Sequence, residues 1–353
     1  MDFNYKSINK SQSIAFDFLK IILLFQVLMG HAIALSLPKI SQIDLDVISN
    51  YLIVIFKIIF SFGGEAAYIF IFLSGFFTSK IFLAKNLKFD LKAVLKKRFF
   101  RIYPIYAIAL ILTVLLDALG LYIFEFNIYR ENPFNLNVGS VYNSKILILN
   151  LLSLEPTFTN SFGSNTPLWT LGYLVQFFFI ASLLKSVAVK FQFNWIFIMP
   201  FLLIFFSIFN LEFSILFFVW FLGVLSKELK FDEINLKLCQ VIILFIILIF
   251  TQRFFSSFIS MILTPITSFL IFLIINNIPK YISNKLIKFE RIPDVSYVLY
   301  AVHMPILFLI FGFYNHNFSF SYLNSFLYIF VGSFTAFLIS FSILKVVNFF
   351  IKK

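Results

Sequence analysis

Apolar stretches long enough to cross a bilayer recur along the whole sequence, and they constrain its fold more than any other feature. A membrane-spanning helix needs about 20 predominantly apolar residues. Hydropathy gives candidate stretches at about residues 14–37, 50–80, 102–124, 166–185, 193–210, 212–226, 236–252, 257–277, 296–313 and 324–348. Only 12% of the residues are charged, whereas soluble domains carry about 25%. The sequence therefore predicts an all-α integral membrane protein, with about ten transmembrane helices in one bundle. We expect a single transmembrane domain over residues 1–353 and no separate soluble domain.

Positively charged residues give the predicted orientation. Most of the 28 Lys and Arg residues fall on the side that holds both termini; the exceptions are Lys39, Arg130, Lys145 and Arg253 in outer loops and Lys20 and Lys57 within spans. Because Lys and Arg are enriched in cytoplasmic loops, we expect a multi-pass protein of the cell (inner or plasma) membrane with cytoplasmic N- and C-termini. The same bias accounts for the net charge of +12, so no nucleic-acid partner is expected.

Three regions depart from simple spans. Residues 145–154 are apolar but too short to cross, so they predict a short re-entrant or interfacial helix at the outer face. The adjoining stretches 193–210 and 212–226 predict two spans, since a single bent helix would break the alternation of charges. The basic segment 80–101 predicts a short amphipathic helix on the inner leaflet, with Pro104 in the first turn of the helix that follows.

The first span carries three ionisable side chains, Asp17, Lys20 and His31, inside its apolar run. Lys20 and His31 are separated by close to three whole helical turns, so they project from one face about 16 Å apart along the axis. Such groups are costly at membrane depth and therefore face a protein interior or a wet cavity. Alone, they fit equally well a snorkelling lysine with a structurally bonded histidine and a functional pair. The charges also indicate a retained helix rather than a cleaved signal peptide.

Two arginines stand out in the sequence RFFRIYP at the start of the third span. Arg98 and Arg101 are about one helical turn apart, so their guanidinium groups face the same way and could grip a phosphate or pyrophosphate from the cytoplasm. The alternative is that basic residues in this region only set topology and bind anionic lipid. That alternative suffices for the neighbouring lysines and is weaker for this pair.

Polar and small residues also mark the second and fourth spans. Ser74 precedes Gly75 in the second span, where small residues let helices approach closely. The fourth span begins NTPLWTLGYLVQFF, with Trp169 expected at the outer interface and Gln176 inside. A tryptophan at this position is more often an interfacial anchor than a platform for a substrate.

The ninth span opens with SYVLYAVHMP, which places Tyr297, Tyr300 and His303 at helical spacing. Tyr300 and His303 share a face, and for this pair we favour a buried tyrosine–histidine hydrogen bond with a structural role. No cluster of Cys and His residues suggests a metal site, and Cys239, the single cysteine, cannot form an intrachain disulfide.

Together these motifs resemble those of the membrane acyltransferases known as acyltransferase 3. The shared elements are D-x-x-K-x10-H in the first span, LSGF in the second, RFFRIYP, PLWTL in the fourth and SYVLYAVHMP, in the family's order. The resemblance implies a membrane enzyme that takes an acyl group, usually acetyl, from acyl-CoA on the cytoplasmic side and passes it to a hydroxyl of a sugar or other acceptor. It also implies a catalytic His31 and a role in donor binding or activity for Lys20, Arg98 and Arg101.

Two positions depart from the family's pattern. The fourth-span motif commonly continues Trp-Ser-Leu-x-x-Glu, whereas this chain has Thr170 in place of the serine and Leu174 where the acid is expected. An acidic residue common before LSGF aligns with Tyr68, and Glu65 lies one turn away as a possible substitute. A mechanism that depends on the fourth-span carboxylate therefore does not carry over directly to this chain.

The expected function is that of an O-acetyltransferase, with acetyl-CoA as co-substrate and no metal. The acceptor would be a hydroxyl of a cell-surface glycan or its lipid-linked precursor, and His31 would act as general base or transient acyl carrier. Expected partners are acyl-CoA, a sugar or glycan acceptor and the lipid bilayer. Support for the substrate or the structure is expected from Asp17, Glu65, Tyr68, Ser74, Trp169, Gln176, Tyr300 and His303. Two alternatives stay open: an exporter of polysaccharide or lipid-linked sugar without acyl transfer, and a membrane scaffold.

Overall fold

The protein is mainly helical and has no strand in the part of the chain that the computed structural model describes, namely residues 10–37, 48–60, 62–84, 89–124, 127–130, 132, 134–226, 238–252, 257–277, 293–317 and 322–351. Within these residues, six helical stretches are long and apolar enough to cross a membrane. Shorter apolar helices cover Trp195–Phe209, Leu211–Ser226, Leu238–Thr251 and Ile259–Ile275. The predicted fold class, an all-α membrane protein, is therefore confirmed, and the expectation that about ten helices cross the membrane stays a prediction.

The residues that the structure describes contain fourteen α-helices. In chain order they are α1 (Lys10–Ser36), α2 (Ile48–Ile59), α3 (Gly63–Leu83), α4 (Leu91–Ile123), α5 (Asn127–Arg130), α6 (Val138–Val141), α7 (Ser144–Leu151), α8 (Trp169–Lys190), α9 (Met199–Phe209), α10 (Leu211–Ser226), α11 (Leu238–Thr251), α12 (Ser257–Asn276), α13 (Pro293–Asn317) and α14 (Tyr322–Ile351). Short 3-10 turns over Thr166–Leu168 and Trp195–Ile198 lead into α8 and α9.

The chain forms two compact units. Unit A consists of residues 1–21, 67–97 and 173–293, and unit B consists of residues 22–66, 98–172 and 294–353. Helices α1, α3, α4 and α8 contribute residues to both units. The expectation of a single transmembrane domain stays a prediction.

Two glycines let α3 and α10 cross at backbone contact in unit A. A β-carbon on Gly75 would lie 1.9 Å from the carbonyl oxygen of Trp220, and one on Gly223 would lie 2.0 Å from that of Phe72. Neither distance is possible for a real side chain, so only glycine allows this crossing. The close approach predicted at Ser74 and Gly75 is confirmed.

The rest of the unit A core is aromatic. Buried Phe82 contacts Trp195 and Trp220, with ring centroids 5.8 and 5.5 Å apart. Further along, α9 packs on α10, which packs on α12. Asn210 separates α9 from α10 and caps the second, because its Oδ1 accepts a hydrogen bond of 2.9 Å from the backbone N–H of Phe213. The two predicted spans at 193–210 and 212–226 are therefore separate helices.

The basic segment before the third span is the first part of that span's own helix. α4 begins at Leu91, where Asp90 accepts a hydrogen bond from the backbone N–H of Ala93. Pro104 consequently lies inside the helix and leaves the carbonyl of Phe100 without its usual donor. The predictions of a separate amphipathic helix and of Pro104 in a first turn are wrong, because the capped, lysine- and leucine-rich stretch favours helix strongly enough to continue through the proline.

The second predicted span is broken into α2 and α3 after Ile59. The break is followed by Gly63 and Gly64, which are poor helix formers. It packs closely against α1 in unit B, since a β-carbon on Gly30 would lie 3.0 Å from the carbonyl oxygen of Phe60. The irregular backbone therefore lies directly beside the turn of α1 that carries His31.

Helix α7 runs back along α4 in unit B. At its start, the Tyr142 hydroxyl donates to the carbonyl of Val114 (2.9 Å). At its end, the hydroxyl oxygen of Tyr106 lies 3.0 Å from the carbonyl oxygen of Asn150. The helix thus follows the apolar part of α4 for about two turns, which is the geometry expected of the predicted re-entrant helix.

Candidate active site

Two histidines from opposite ends of the sequence meet in unit B. Nδ1 of His31 in α1 lies 2.9 Å from Nε2 of His303 in α13. The ring planes are within 10° of parallel and their centroids are 5.1 Å apart. The centroid separation exceeds the N···N distance by roughly two ring radii, so the imidazoles meet edge to edge in a hydrogen bond. His303 is fully buried, whereas His31 is partly exposed.

The second ring nitrogen of His303 is bonded to its own helix. Nδ1 lies 3.1 Å from the carbonyl oxygen of Leu299 and 2.9 Å from that of Tyr300. The Tyr300 hydroxyl instead accepts a hydrogen bond of 2.7 Å from the hydroxyl of Thr170 in α8. The predicted tyrosine–histidine hydrogen bond is therefore wrong: both imidazole nitrogens are engaged elsewhere, and a shared helical face brought the two rings only to a centroid distance of 6.0 Å.

The same helix also lies near the two arginines. The hydroxyl of Tyr297 lies 3.5 Å from the carbonyl oxygen of Ile102 in α4 and interacts electrostatically with Arg98 and Arg101. Arg98 is half-buried and Arg101 is exposed. From Tyr297 to His303 the rise along α13 is about 9 Å. One helix of unit B therefore connects a basic pair to the imidazole pair.

An aromatic ring from the loop before α6 covers His31. The ring centroid of Phe134 lies 5.8 Å from that of the imidazole, with the planes 80° apart. Asn132 shapes the turn that presents this ring, because its Oδ1 accepts from the backbone N–H groups of Phe134 (3.1 Å) and Leu136 (3.2 Å). Sequence reasoning missed Phe134, since nothing distinguishes it among the 55 phenylalanines.

An asparagine from the loop before α8 supplies the hydrogen bond that a proline in α13 cannot make. Pro305 has no N–H to donate to the carbonyl of Ala301 four residues earlier. Nδ2 of Asn165 takes that place at 2.9 Å and also donates to the hydroxyl of Thr113 in α4 (3.0 Å). This link fixes the turn of α13 that carries His303.

A buried carboxylate anchors the same loop. Asp117, inside α4, accepts hydrogen bonds from the backbone N–H of Ser164 (2.7 Å) and from its hydroxyl (2.6 Å). Gly163 is needed beside it, because its φ of +60° suits glycine and a β-carbon would lie 2.1 Å from the carboxylate. Sequence reasoning missed Asp117, although an acid within an apolar run was a visible signal.

A second buried acid lies just after α7. Oε1 of Glu155 accepts a hydrogen bond of 2.9 Å from the hydroxyl of Tyr106. The backbone of this residue packs against α8 at Gly172, where a β-carbon would lie 2.2 Å from the Glu155 carbonyl. Burial raises the pKa of Glu155 to about 8, against the smaller opposing effect of hydrogen bonds from Tyr106 and Ser161. This carboxyl is therefore mainly protonated at neutral pH, and no feature of the polar loop sequence marked it.

Several of the predicted polar residues lie in unit A. Nζ of Lys20 pairs with Oδ1 of Asp17 at 2.9 Å and lies 4.3 Å from the ring centroid of Phe77. About a quarter of each charged side chain is exposed, 26% for Lys20 and 23% for Asp17. Tyr68 in α3 and Gln176 in α8 are half-buried within this unit.

Two further predicted residues lie at helix starts. Glu65 is in the first turn of α3, where its negative charge suits the helix dipole. Trp169 is the first residue of α8 and is half-buried. The roles assigned from the sequence to Ser74, Glu65 and Trp169 stay predictions.

Taken as a class, this is an all-helical, multi-pass membrane protein whose candidate site combines a hydrogen-bonded imidazole pair with two arginines of a neighbouring helix. A family comparison identifies the class further: residues 13–345 match the family model Acyl_transf_3, described as an acyltransferase domain. The chain belongs to the acyltransferase 3 family and is a membrane acyltransferase. Comparison with curated proteins gave no significant match, and neither did comparison with solved structures.

Proposed function

We propose that this acyltransferase is an O-acetyltransferase that moves the acetyl group of acetyl-CoA to a hydroxyl of a cell-surface glycan or its lipid-linked precursor. The observation that carries the proposal is the arrangement along α13, where Tyr297 is next to the arginine pair and His303 is bonded to His31. Such a helix suits a donor with an anionic head and a reactive end at the tip of a long arm.

The arginine pair supports coenzyme A as the carrier of the acetyl group. Guanidinium groups bind phosphates through paired, charge-assisted hydrogen bonds. Arg98 and Arg101 would hold the phosphates, and the pantetheine arm would extend along unit B towards His31, about 9 Å deeper by the rise of α13. Since basic residues mark the cytoplasmic side, the protein would lie in the cell membrane with cytoplasmic termini, and the donor would enter from the cytoplasm.

The partly exposed imidazole of His31 supports acyl transfer to a hydroxyl. As a general base it would take the hydroxyl proton while the acceptor oxygen bonds to the thioester carbonyl carbon and the carbon–sulfur bond breaks. As an acyl carrier it would first accept the acetyl group itself and then pass it on. The ring of Phe134 would limit access of water to either species. Lys20, paired with Asp17, stays a candidate for donor binding in unit A.

The proposal is tested by measuring both products with purified protein in lipid nanodiscs. Wild-type protein should release free CoA from acetyl-CoA over many turnovers only when acceptor glycan is present, and mass spectrometry should show the new ester. His31→Ala should lower the rate by about 10²- to 10⁴-fold at unchanged membrane level. His316→Ala is the matched control, because that histidine is exposed near the end of α13, and it should keep full activity.

The outcomes separate the proposal from its alternatives. An exporter would move glycan without releasing CoA, and a scaffold would be indifferent to His31→Ala. Donor binding is tested by Arg98→Ala, which should raise KM for acetyl-CoA, whereas Lys97→Ala, an equal loss of charge at an exposed position, should change KM little. Equal effects of the two variants would leave Arg98 with a topological role only.

A further inference from the structure

We infer that His303 holds His31 in the tautomer that carries its hydrogen on Nδ1, so that Nε2 of His31 is the atom that takes up the proton of the acceptor hydroxyl. His303 is a positioning residue, since it acts on the substrate only through His31. The tautomer follows from the hydrogen bonds of the two rings. Its chemical consequence rests on the proposed function.

Two backbone carbonyls determine which nitrogen of His303 carries the hydrogen. The carbonyl oxygens of Leu299 and Tyr300 can only accept hydrogen bonds, and both lie within 3.1 Å of Nδ1 of His303. That nitrogen must therefore carry a hydrogen and donate it. The fully buried position of His303 favours a neutral ring, and a neutral imidazole carries one hydrogen. Nε2 of His303 consequently holds a lone pair.

The lone pair on His303 determines the state of its partner. The contact of 2.9 Å between Nε2 of His303 and Nδ1 of His31 is a hydrogen bond only if Nδ1 of His31 donates. The single hydrogen of a neutral His31 is then on Nδ1, and its Nε2 carries a lone pair. Because His31 is partly exposed and His303 is not, that lone pair belongs to the ring that a substrate can reach.

The arrangement suits proton transfer in both directions. As the acceptor oxygen bonds to the thioester carbonyl carbon, its proton moves to Nε2 of His31 and the carbon–sulfur bond breaks. The leaving thiolate then takes the proton from Nε2, which restores the starting tautomer. During the step, His303 stabilises the positive charge on His31 by accepting the hydrogen bond from Nδ1. If His31 carries the acetyl group instead, the same lone pair forms the bond to carbon.

Nitrogen NMR reads the tautomer directly. The chain has three histidines, so the His316→Gln variant leaves only the two rings of interest. With 15N-labelled histidine in nanodiscs, both rings should show a protonated Nδ1 and an unprotonated Nε2. In His303→Leu, His31 should lose this preference and show a hydrogen on Nε2. His303→Gln is the conservative variant, because its amide oxygen can accept from Nδ1 of His31 and should keep the original signal.

Kinetics give the second readout. In a serine-protease triad, the wrong histidine tautomer lowers kcat by about 10⁴-fold. We expect His303→Leu to lower kcat by about 10²-fold or more, with KM for acetyl-CoA little changed, and His303→Gln to recover much of the loss. An unprotonated Nδ1 on His31 in the His316→Gln background overturns the inference, even if His303→Leu does not fold. So does a folded His303→Leu variant with unchanged spectrum and kcat. The expected tautomer without any acetyl transfer would instead contradict the proposed function and leave the inference standing.

Discussion

The interiors of the two units are held together in different ways. In unit A, buried aromatic rings and the glycine crossing of α3 with α10 provide the contacts, and hydroxyls such as those of Ser226 and Thr267 donate to carbonyls of their own helices. In unit B, buried polar side chains join different elements: His31 with His303, and Asp117 with Ser164.

The difference shows where a membrane enzyme places its polar groups. A buried polar side chain is costly at membrane depth unless it is hydrogen-bonded. A hydroxyl bonded to its own helix lowers that cost without fixing any neighbour, whereas a bond between elements also sets their relative position. In unit B the bonds between elements join side chain to side chain, which gives the precision that a reaction site needs. In unit A the side chains of Trp195 and Ser214 donate to backbone carbonyls of neighbouring elements, and shape contributes more.

The largest expected effect tests the role of shape in unit A. Gly75→Ala should lower the free energy of unfolding by more than about 3 kcal/mol or abolish folding, because its β-carbon would lie 1.9 Å from the backbone oxygen of Trp220. Denaturant titration of the detergent-purified protein measures the change. Gly64→Ala is the control, since a β-carbon there meets no atom within 4 Å. Equal stability of the two variants would show that the crossing does not depend on shape.

The second prediction tests a buried acid of unit B by pH. Below pH 4.5, the ordinary pKa of a glutamate carboxyl, Glu155 is protonated in both the folded and the unfolded chain. Burial of this neutral carboxyl then costs no protonation free energy, so the stability of the folded protein is at its highest with respect to this group. Between pH 4.5 and about 8, only the folded chain keeps the proton, so stability should fall by up to about 1.4 kcal/mol per pH unit. Above that range the loss is complete.

The Glu155→Gln variant serves as the reference for this pH dependence. Its amide oxygen can still accept the hydrogen bond from Tyr106 and it does not titrate. Denaturant titrations from pH 5 to 9 should show wild-type stability decreasing relative to the variant as pH rises. Parallel curves would mean that the Glu155 carboxyl is solvated in the folded protein.

The smallest expected effect concerns the anchored loop of unit B. Asp117→Leu removes the acceptor for two donors of Ser164, and leaving buried donors unsatisfied costs about 1–3 kcal/mol. Asp117→Asn keeps one acceptor oxygen and should cost less. In a double-mutant cycle, Asp117→Leu and Ser164→Ala should show a coupling energy of about 0.5–3 kcal/mol. Strictly additive effects would show that this hydrogen bond does not stabilise unit B.

The sequence was sufficient for the fold class because continuous apolar runs and the positive-inside bias are local signals. It also showed that His31 and His303 are unusual, since each is ionisable within an apolar run. Their contact could not be predicted: helical spacing tells which residues share a face, but it does not identify the partner of that face. The same reasoning paired Tyr300 with His303, whereas the structure pairs Tyr300 with Thr170.

Features that depend on competition between local and distant contacts were also beyond the sequence. Pro104 predicted a helix start, but the capped segment from Leu91 continued through it. Glu155 and Phe134 lie in loops where acids and aromatic residues are common, and only the folding of those loops towards α4 and α1 gives these side chains their importance.

The proline in α13 makes one turn of this helix depend on the loop before α8. Because Pro305 cannot donate to the Ala301 carbonyl, the hydrogen bond that completes this turn comes from Asn165, far away in the sequence. If the loop before α8 detached, the carbonyl of Ala301, two residues before His303, would lose its hydrogen-bond donor. We therefore expect the backbone amides of this loop and of the turn that carries His303 to exchange with deuterium together. A helical turn that is completed by a hydrogen bond from another segment is fully bonded only while that segment is in place.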